Sequence, residues 1–144
     1  MKENSYKLVV SLELAKQLKE LGVEQDSLFY WVECINDELP CFKVPHISSL
    51  DKVDDDDLII CSAYTVAELG EMLPASVITE TLINKKSDGA KWFAMKYDDE
   101  LNKDGSKKME YVNELGDNKF RARYEADARA KCLIYLVEQG IIKI

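Results

Sequence analysis

The chain has 144 residues, of which 47% are hydrophobic, and its formal net charge is −8. This composition predicts one folded domain with a hydrophobic core and argues against global disorder. No apolar run is long enough for a membrane span or a signal peptide, so we expect a cytoplasmic protein without a membrane partner. Residues 1–72 hold 6 Lys or Arg against 15 Asp or Glu, an imbalance that disfavours binding to nucleic acid phosphates.

The first predicted helix spans Leu12–Leu21, with Ser11 as its cap and Gly22 as its end. Its apolar stripe consists of Leu14, Leu18 and Leu21.

Aromatic and β-branched residues predict a strand over Phe29–Ile35. A turn at residues 36–38 and a returning strand over residues 40–44 should follow. His46–Asp57 is predicted to be a loop that ends in four consecutive aspartates. The short apolar run over residues 58–61 suits either a strand or another buried segment.

A capping box marks the second helix, because Thr65 and Glu68 stand at the N-cap and N3 positions. Tyr64 and Leu69 occupy the positions of a hydrophobic staple. The helix must end before Pro74, since the residue preceding a proline avoids the α conformation.

The following segments predict a hairpin, formed by strands over residues 77–83 and 91–97 around an Asp-Gly turn at residues 85–89. Residues 98–108 are polar and predict a loop, and residues 109–115 predict a further strand. A turn at residues 116–118 should lead into the last helix.

The last helix, over residues 125–139, has the clearest periodicity in the chain and ends at Gly140. Its opposite side carries polar residues, with oppositely charged partners four positions apart. We therefore expect a core helix, and residues 141–144 are long enough to dock as an edge strand. The apolar stripe consists of Ala126, Ala130, Leu133, Ile134 and Val137, and the polar side of Asp127, Lys131, Tyr135 and Glu138.

Together the elements predict a single α+β domain over residues 1–144, with about three helices packed on a mainly antiparallel sheet.

The cysteines predict neither a disulfide nor a metal site. A cytoplasmic chain keeps thiols reduced, and Cys132 falls on the core helix as a small apolar residue. Cys34, Cys41, Cys61 and His46 could in principle ligate zinc, but the first gap is much wider than the usual Cys-x2-4-Cys spacing.

No catalytic or cofactor signature is present. His46 is the single histidine, so any Cys–His or Ser–His pair must use it, and no nucleophile motif surrounds a serine or cysteine. Residues 100–105 resemble the start of a calcium loop, but Tyr111 stands where the bidentate glutamate belongs. No glycine motif for phosphate is found. We predict no cofactor and leave open whether the loop at Asp98–Lys108 binds a cation.

The sequence EADARAKCLIYL at residues 125–136, the capped helix at Tyr64–Pro74 and the strand that contains Trp92 resemble a family of small phage and prophage proteins of Bacteroides-type gut bacteria. The family pattern places a threonine cap before the last helix, where this chain has Tyr124. The family has no assigned activity, so the resemblance implies a fold and a genomic setting rather than a chemistry.

The leading functional hypothesis is a non-enzymatic prophage-type accessory protein that binds another protein or a second copy of itself. Side chains of a strand alternate between two faces, and Glu33 favours the face of Phe29 and Trp31 as the exposed one. We therefore expect Phe29, Trp31 and Glu33 to form the partner site, with Trp31 as its anchor. The alternative is that a loop such as His46–Asp57 folds over this face and buries it.

Two alternatives remain open at this point. One is a small carboxylate-dependent enzyme or a nucleotide-binding module, which would need a pocket with perturbed carboxylates. The other is an acidic inhibitor that mimics DNA, which would need Asp51–Asp57, Glu68 and Glu71 to align on one face.

Overall fold

A computed structural model describes residues 8–34, 45–74, 77–81, 92–101, 107–110 and 120–143. These residues form three helices, six strands and one short 3-10 turn. The helices are α1 (Leu12–Glu20), α2 (Val66–Met72) and α3 (Glu125–Glu138). The strands are β1 (Phe29–Cys34), β2 (His46–Ser49), β3 (Asp57–Ser62), β4 (Val77–Thr81), β5 (Trp92–Leu101) and β6 (Lys107–Glu110), and the 3-10 turn covers Leu50–Lys52.

The strands form two antiparallel sheets of three, with the orders β2-β1-β3 and β4-β5-β6. The predicted α+β class with antiparallel pairing is therefore confirmed. In the first sheet, Trp31 of β1 lies opposite Ile47 of β2 and Cys61 of β3. The next pair is Val32 with Ile59, so Ile60 is the extra residue of a β-bulge.

Two predicted loops contain strands. Within His46–Asp57, the first four residues form β2 and pair with β1, and Asp57 already belongs to β3. Within residues 98–108, β5 continues to Leu101 and β6 begins at Lys107. Pairing with a neighbouring strand provides hydrogen bonds for the backbone of these polar segments. The local sequence contains no pattern that predicts this pairing. The predictions for residues 36–38, 40–44, 85–89 and 116–118 lie outside the described residues.

Helix α3 is the centre of the core, as predicted. It contacts α1 and α2 as well as β4 and β5, so residues around much of its circumference are buried. Ala128, which lies off the predicted stripe, is fully buried for this reason. Val137 belongs to the predicted apolar stripe of a core helix, which predicts almost complete burial, but it is only partly buried, so the prediction is wrong at this position.

Helix α3 ends in a Schellman motif, which requires a left-handed residue after the helix. Gly140 has φ +70° and donates its N–H to the Val137 carbonyl at 3.0 Å, while Ile141 donates to Leu136 at 2.9 Å. Helix α1 ends in the same way at Gly22, with φ +91°. Residues 141–143 continue as a bend, so the predicted edge strand is not present there.

The predicted capping box at the start of α2 is confirmed. The Thr65 hydroxyl accepts the N–H of Glu68 at 3.2 Å, and the Glu68 carboxylate accepts the N–H of Thr65 at 2.9 Å. The staple residues Tyr64 and Leu69 are both buried in the core.

We expect Thr65→Ala to lower the free energy of unfolding by about 0.5–2 kcal/mol, because the Glu68 N–H loses its acceptor. Denaturant unfolding measures this loss. Thr65→Ser keeps the hydroxyl and is the matched control, expected to retain most of the stability. Equal losses in both variants would show that the cap does not stabilise α2.

The glycine inside α2 has a packing reason. A Cβ at Gly70 would overlap the Arg129 guanidinium, which donates to the Val66 carbonyl at 2.9 Å. The same guanidinium bonds Glu125 at 3.1 Å and Thr79 at 3.3 Å. Arg129 thus joins α2, α3 and β4, and the missing side chain of Gly70 makes room for it.

A carboxylate of α3 contacts the start of α1. Ser11 is the N-cap residue of α1, as predicted, but its side chain makes no cap hydrogen bond. Instead its backbone N–H donates to Asp127 Oδ1 at 2.7 Å. Burial raises the pKa of the Asp127 carboxyl, and the bond from Ser11 opposes this only in part. Asp127 is therefore partly buried, although the sequence placed it on the exposed side of α3.

This shift makes stability depend on pH. The folded-state pKa of Asp127 is raised, so the folded chain holds the proton more tightly than the unfolded chain. The resulting stabilisation is fully present below the unfolded pKa and is lost as the pH rises through the folded pKa. Asp127→Asn keeps an oxygen for Ser11 and removes the titration. We expect the unfolding free energy of Asp127→Asn, relative to wild type, to increase as the pH rises from about 4, the ordinary pKa of Asp.

Chemical denaturation at several pH values measures this difference, with Glu138→Gln, an exposed change on the same helix, as the control. A difference that stays constant or falls as the pH rises would contradict the assignment.

Candidate functional site: a recess on the outer face of the first sheet

The predicted partner site does not lie on an exposed face. Trp31 is only 7% exposed, and its indole N–H donates to the Val10 carbonyl at 3.1 Å. Phe29 packs against the same core, and Glu33 is partly exposed. The expectation that Trp31 is exposed is therefore wrong. The face of Phe29 and Trp31 is the core face, because the segment before α1 covers it and supplies an acceptor for the indole.

The opposite face of this sheet, the outer face, carries a recess of about 310 Å³. Tyr30 and Ser62 lie opposite each other on β1 and β3 and are buried lining residues of this recess. Cys61 also contributes to the lining, although it lies opposite Trp31 and belongs to the core cluster. Leu50 and Ile59 also line the recess and are 58% and 39% exposed. The recess therefore has a polar, buried floor and an exposed apolar rim.

Gln25 fixes one wall of the recess through both ends of its amide. Its Oε1 accepts the N–H of Ser62 at 2.8 Å. Its Nε2 donates to the Tyr64 hydroxyl and to the Val23 carbonyl, each at 3.0 Å. Because the segment before β1 is tied in this way to β3, the wall is pre-formed.

Tyr64 has a structural hydroxyl rather than a reactive one. It donates to the Glu24 carbonyl, and burial raises the pKa of Tyr64 to about 12. The nearby Ser62 hydroxyl lowers that pKa only in part. At neutral pH the phenol stays protonated and links the Glu24–Gln25 segment to the core.

Lys19 is the one charged residue among those that line the recess. Its ammonium donates to the Ile60 carbonyl at 2.7 Å, on the edge of β3 that faces away from β1. Gln25 accepts the Ser62 N–H on the same edge. Side chains therefore satisfy backbone groups that an added strand would need, and lysine at a sheet edge is a common means of preventing strand addition.

Ser62 has a fully buried hydroxyl at the recess, and the residue is 0% exposed. Its Oγ does not meet strict hydrogen-bond geometry with any described atom, but a hydrogen-bonding interaction with it lowers the pKa of Tyr64. The Ser62 and Tyr64 hydroxyls therefore interact, and both hold the wall of the recess in place.

The recess does not hold a nucleophile with its base. Burial raises the pKa of the Cys61 thiol, although Lys19 and Lys16 lower it in part, so the thiol stays protonated. His46 lies on β2, on the far side of β1 from Cys61 and Ser62, about 10 Å away at normal strand spacing. The fold therefore keeps His46 apart from both residues.

The oxidation state of one cysteine, Cys34, differs from the prediction. Cys34 is disulfide-bonded, so the expectation that every thiol is reduced is wrong. It stands at the last residue of β1, where the side chain is partly exposed. Cys61 and Cys132 are buried thiols, as predicted for Cys132. Among the described residues, no group of three or more His, Cys, Asp or Glu side chains is placed to hold a metal ion.

The acidic run before β3 forms a turn beside the recess. Asp57 accepts the N–H of Asp54 on its carboxylate and donates its own N–H to the Asp54 carbonyl, both at 3.0 Å. Asp51 is exposed, and a hydrogen bond from Ser49 lowers its pKa. Glu68, which the DNA-mimic alternative requires, bonds backbone N–H groups of Thr65 and Leu28 instead.

A second recess, of about 350 Å³, lies where α1, α2 and α3 end. Its lining is mainly apolar, with one carboxylate and one ammonium, from Glu24 and Lys143. No buried side chain with an unsatisfied polar atom lines it, so the recess at Tyr30 is the stronger candidate.

Comparison with protein-family models, with curated proteins and with solved structures finds no match for this chain. None of the helices that the structure describes is long and apolar enough to span a membrane.

Proposed function

We propose that this chain is a non-enzymatic accessory protein that acts by binding another protein at the recess over Tyr30. The observation that carries the proposal is the combination of two exposed apolar side chains, Leu50 and Ile59, on the rim of one concavity. Exposed apolar residues grouped around a pocket mark interaction sites, and energetic hot spots form where a side chain of the partner fills such a pocket.

The remaining parts of the proposal come from the sequence. The resemblance to prophage proteins supplies the setting, and a cytoplasmic location is part of the same proposal. The net charge of −8 favours a protein partner over nucleic acid. The Cys34 disulfide departs from what a reducing compartment favours.

Affinity capture with a tagged full-length chain from cells under prophage induction tests the proposal. We expect Leu50→Asp and Ile59→Asp to lose the captured partner while their unfolding curves stay close to wild type. Leu58→Asp is the matched control, because Leu58 is 52% exposed and neighbours Ile59, but pairs with Glu33 and points to the other face.

Binding at the recess would be contradicted if both recess variants still captured the same partner. It would also be contradicted if Leu58→Asp lost the partner to the same extent. Sedimentation measures whether the purified chain forms a dimer. A dimer of the wild-type chain that Leu50→Asp abolishes would identify a second copy of the chain as the partner, and a monomer would identify a different protein.

A further inference from the structure

We propose that the recess binds the C-terminal residue of the partner chain, with an apolar last side chain between Leu50 and Ile59 and the free carboxylate on the Lys19 ammonium. This inference rests on the proposed function and specifies its partner. Proteins capture free C-terminal carboxylates with hydrogen-bond donors, and a cationic donor makes the stronger, charge-assisted contact.

The charge at the recess matches a carboxylate. Lys19 is its single charged lining residue, and none of the lining residues is acidic. An ammonium has three donors, of which one goes to the Ile60 carbonyl. The other two point to no described acceptor, and hydrogen bonds from an ammonium to a carboxylate are roughly twice as strong as neutral ones.

The size of the recess matches a single residue. At about 310 Å³ it stands at the lower limit of ordinary ligand pockets. The Tyr30 hydroxyl interacts with Ser27 and Gln25 at 3.3 and 3.5 Å, which are long distances for hydrogen bonds. This hydroxyl can exchange one of these contacts for the terminal peptide group while the rim holds its side chain.

The edge of β3 distinguishes a chain end from an internal strand of the partner. Lys19 and Gln25 already bond the Ile60 carbonyl and the Ser62 N–H, so a partner strand would find these groups taken. A terminal residue that enters the recess from outside does not need them.

The acidic turn before β3 determines which residues are favourable in the partner just before its C-terminal residue. Asp51 follows Leu50 directly, and Asp57 stands two residues before Ile59. Asp54 and Asp55 of the same turn are exposed. Lysine or arginine upstream in the partner would complement these carboxylates, and a polyanionic segment would be repelled.

The test uses fluorescein-labelled hexapeptides that contain two lysines and end in Leu, Phe or Asp, each made as the free acid and as the C-terminal amide. Fluorescence anisotropy with the full chain measures their affinities. We expect the free acids ending in Leu or Phe to bind at least about tenfold more tightly than their amides and than the Asp peptide, which corresponds to the loss of one charge-assisted contact.

Variants at Lys19 assign the contact. Lys19→Met keeps the alkyl packing and removes the charge, so we expect the preference for the acid to disappear, and Lys19→Arg should retain it. Lys16→Met removes an exposed charge one turn away on α1 that does not line the recess, and it should change nothing. A thermal melt of each variant confirms that it is folded.

Acids and amides that bind equally, no binding by either, or an unchanged preference in folded Lys19→Met would overturn the inference. If partner capture still depends on Leu50 and Ile59 in those cases, the proposed function stands and only the chain-end contact is wrong. If capture does not depend on them, the proposed function fails as well.

Discussion

We expect Trp31→Ala to lower the free energy of unfolding by about 3–5 kcal/mol, the usual cost of removing a buried large aromatic side chain. Trp31 belongs to the core cluster and is 7% exposed, so its removal leaves a cavity in the core. The Val10 carbonyl also loses the indole N–H that it accepts at 3.1 Å. Urea unfolding, followed by far-UV circular dichroism, measures the loss.

Two further variants separate packing from hydrogen bonding at this position. Trp31→Phe keeps an aromatic ring and removes the N–H, so we expect a loss smaller than that of Trp31→Ala. Phe29→Ala removes a partly buried ring from the same face and should cost less than Trp31→Ala. A folded Trp31→Ala chain that loses less than about 1 kcal/mol would show that Trp31 is not part of the core.

The second large effect is expected at Leu133, which is 2% exposed in the middle of α3. Leu133→Ala should cost about 2–5 kcal/mol, since α3 is packed on several sides and its neighbours have little freedom to fill the cavity. Val137→Ala lies one turn later on a partly buried position and should cost less. Leu133→Met conserves volume and should cost less than about 1.5 kcal/mol.

Denaturant melts of the three variants measure this order. A loss below about 1 kcal/mol for Leu133→Ala, or a larger loss for Val137→Ala, would mean that α3 does not organise the core.

The features that the sequence predicts correctly are those whose interactions are local. The capping box joins Thr65 to Glu68 three residues away, and Gly140 ends α3 through bonds to the preceding turn. Such signals lie within one short window. The strand at His46–Ser49 exists because β1 pairs with it, and its own residues carry no strand pattern.

The recess illustrates the same limit. Alternation along β1 correctly separates Tyr30 from Trp31, but it does not reveal which face the helices cover. Glu33 led to the wrong prediction of the exposed face. It lies near the end of β1, where a charged side chain can reach solvent even on the core face. Lys19 reaches Ile60 across 41 positions of sequence, and Gln25 reaches Ser62 across 37. In the sequence both resemble ordinary solvated residues.

The position of α3 in the chain has a consequence for synthesis. Every other described element precedes α3, yet α3 supplies the surface on which α1, α2 and the second sheet pack. While the ribosome translates the earlier segments, Leu18, Leu69 and their neighbours have no complete core to enter. We therefore expect the nascent chain to remain a substrate for chaperones until α3 has emerged, and folding to be concerted and late rather than progressive from the N-terminus.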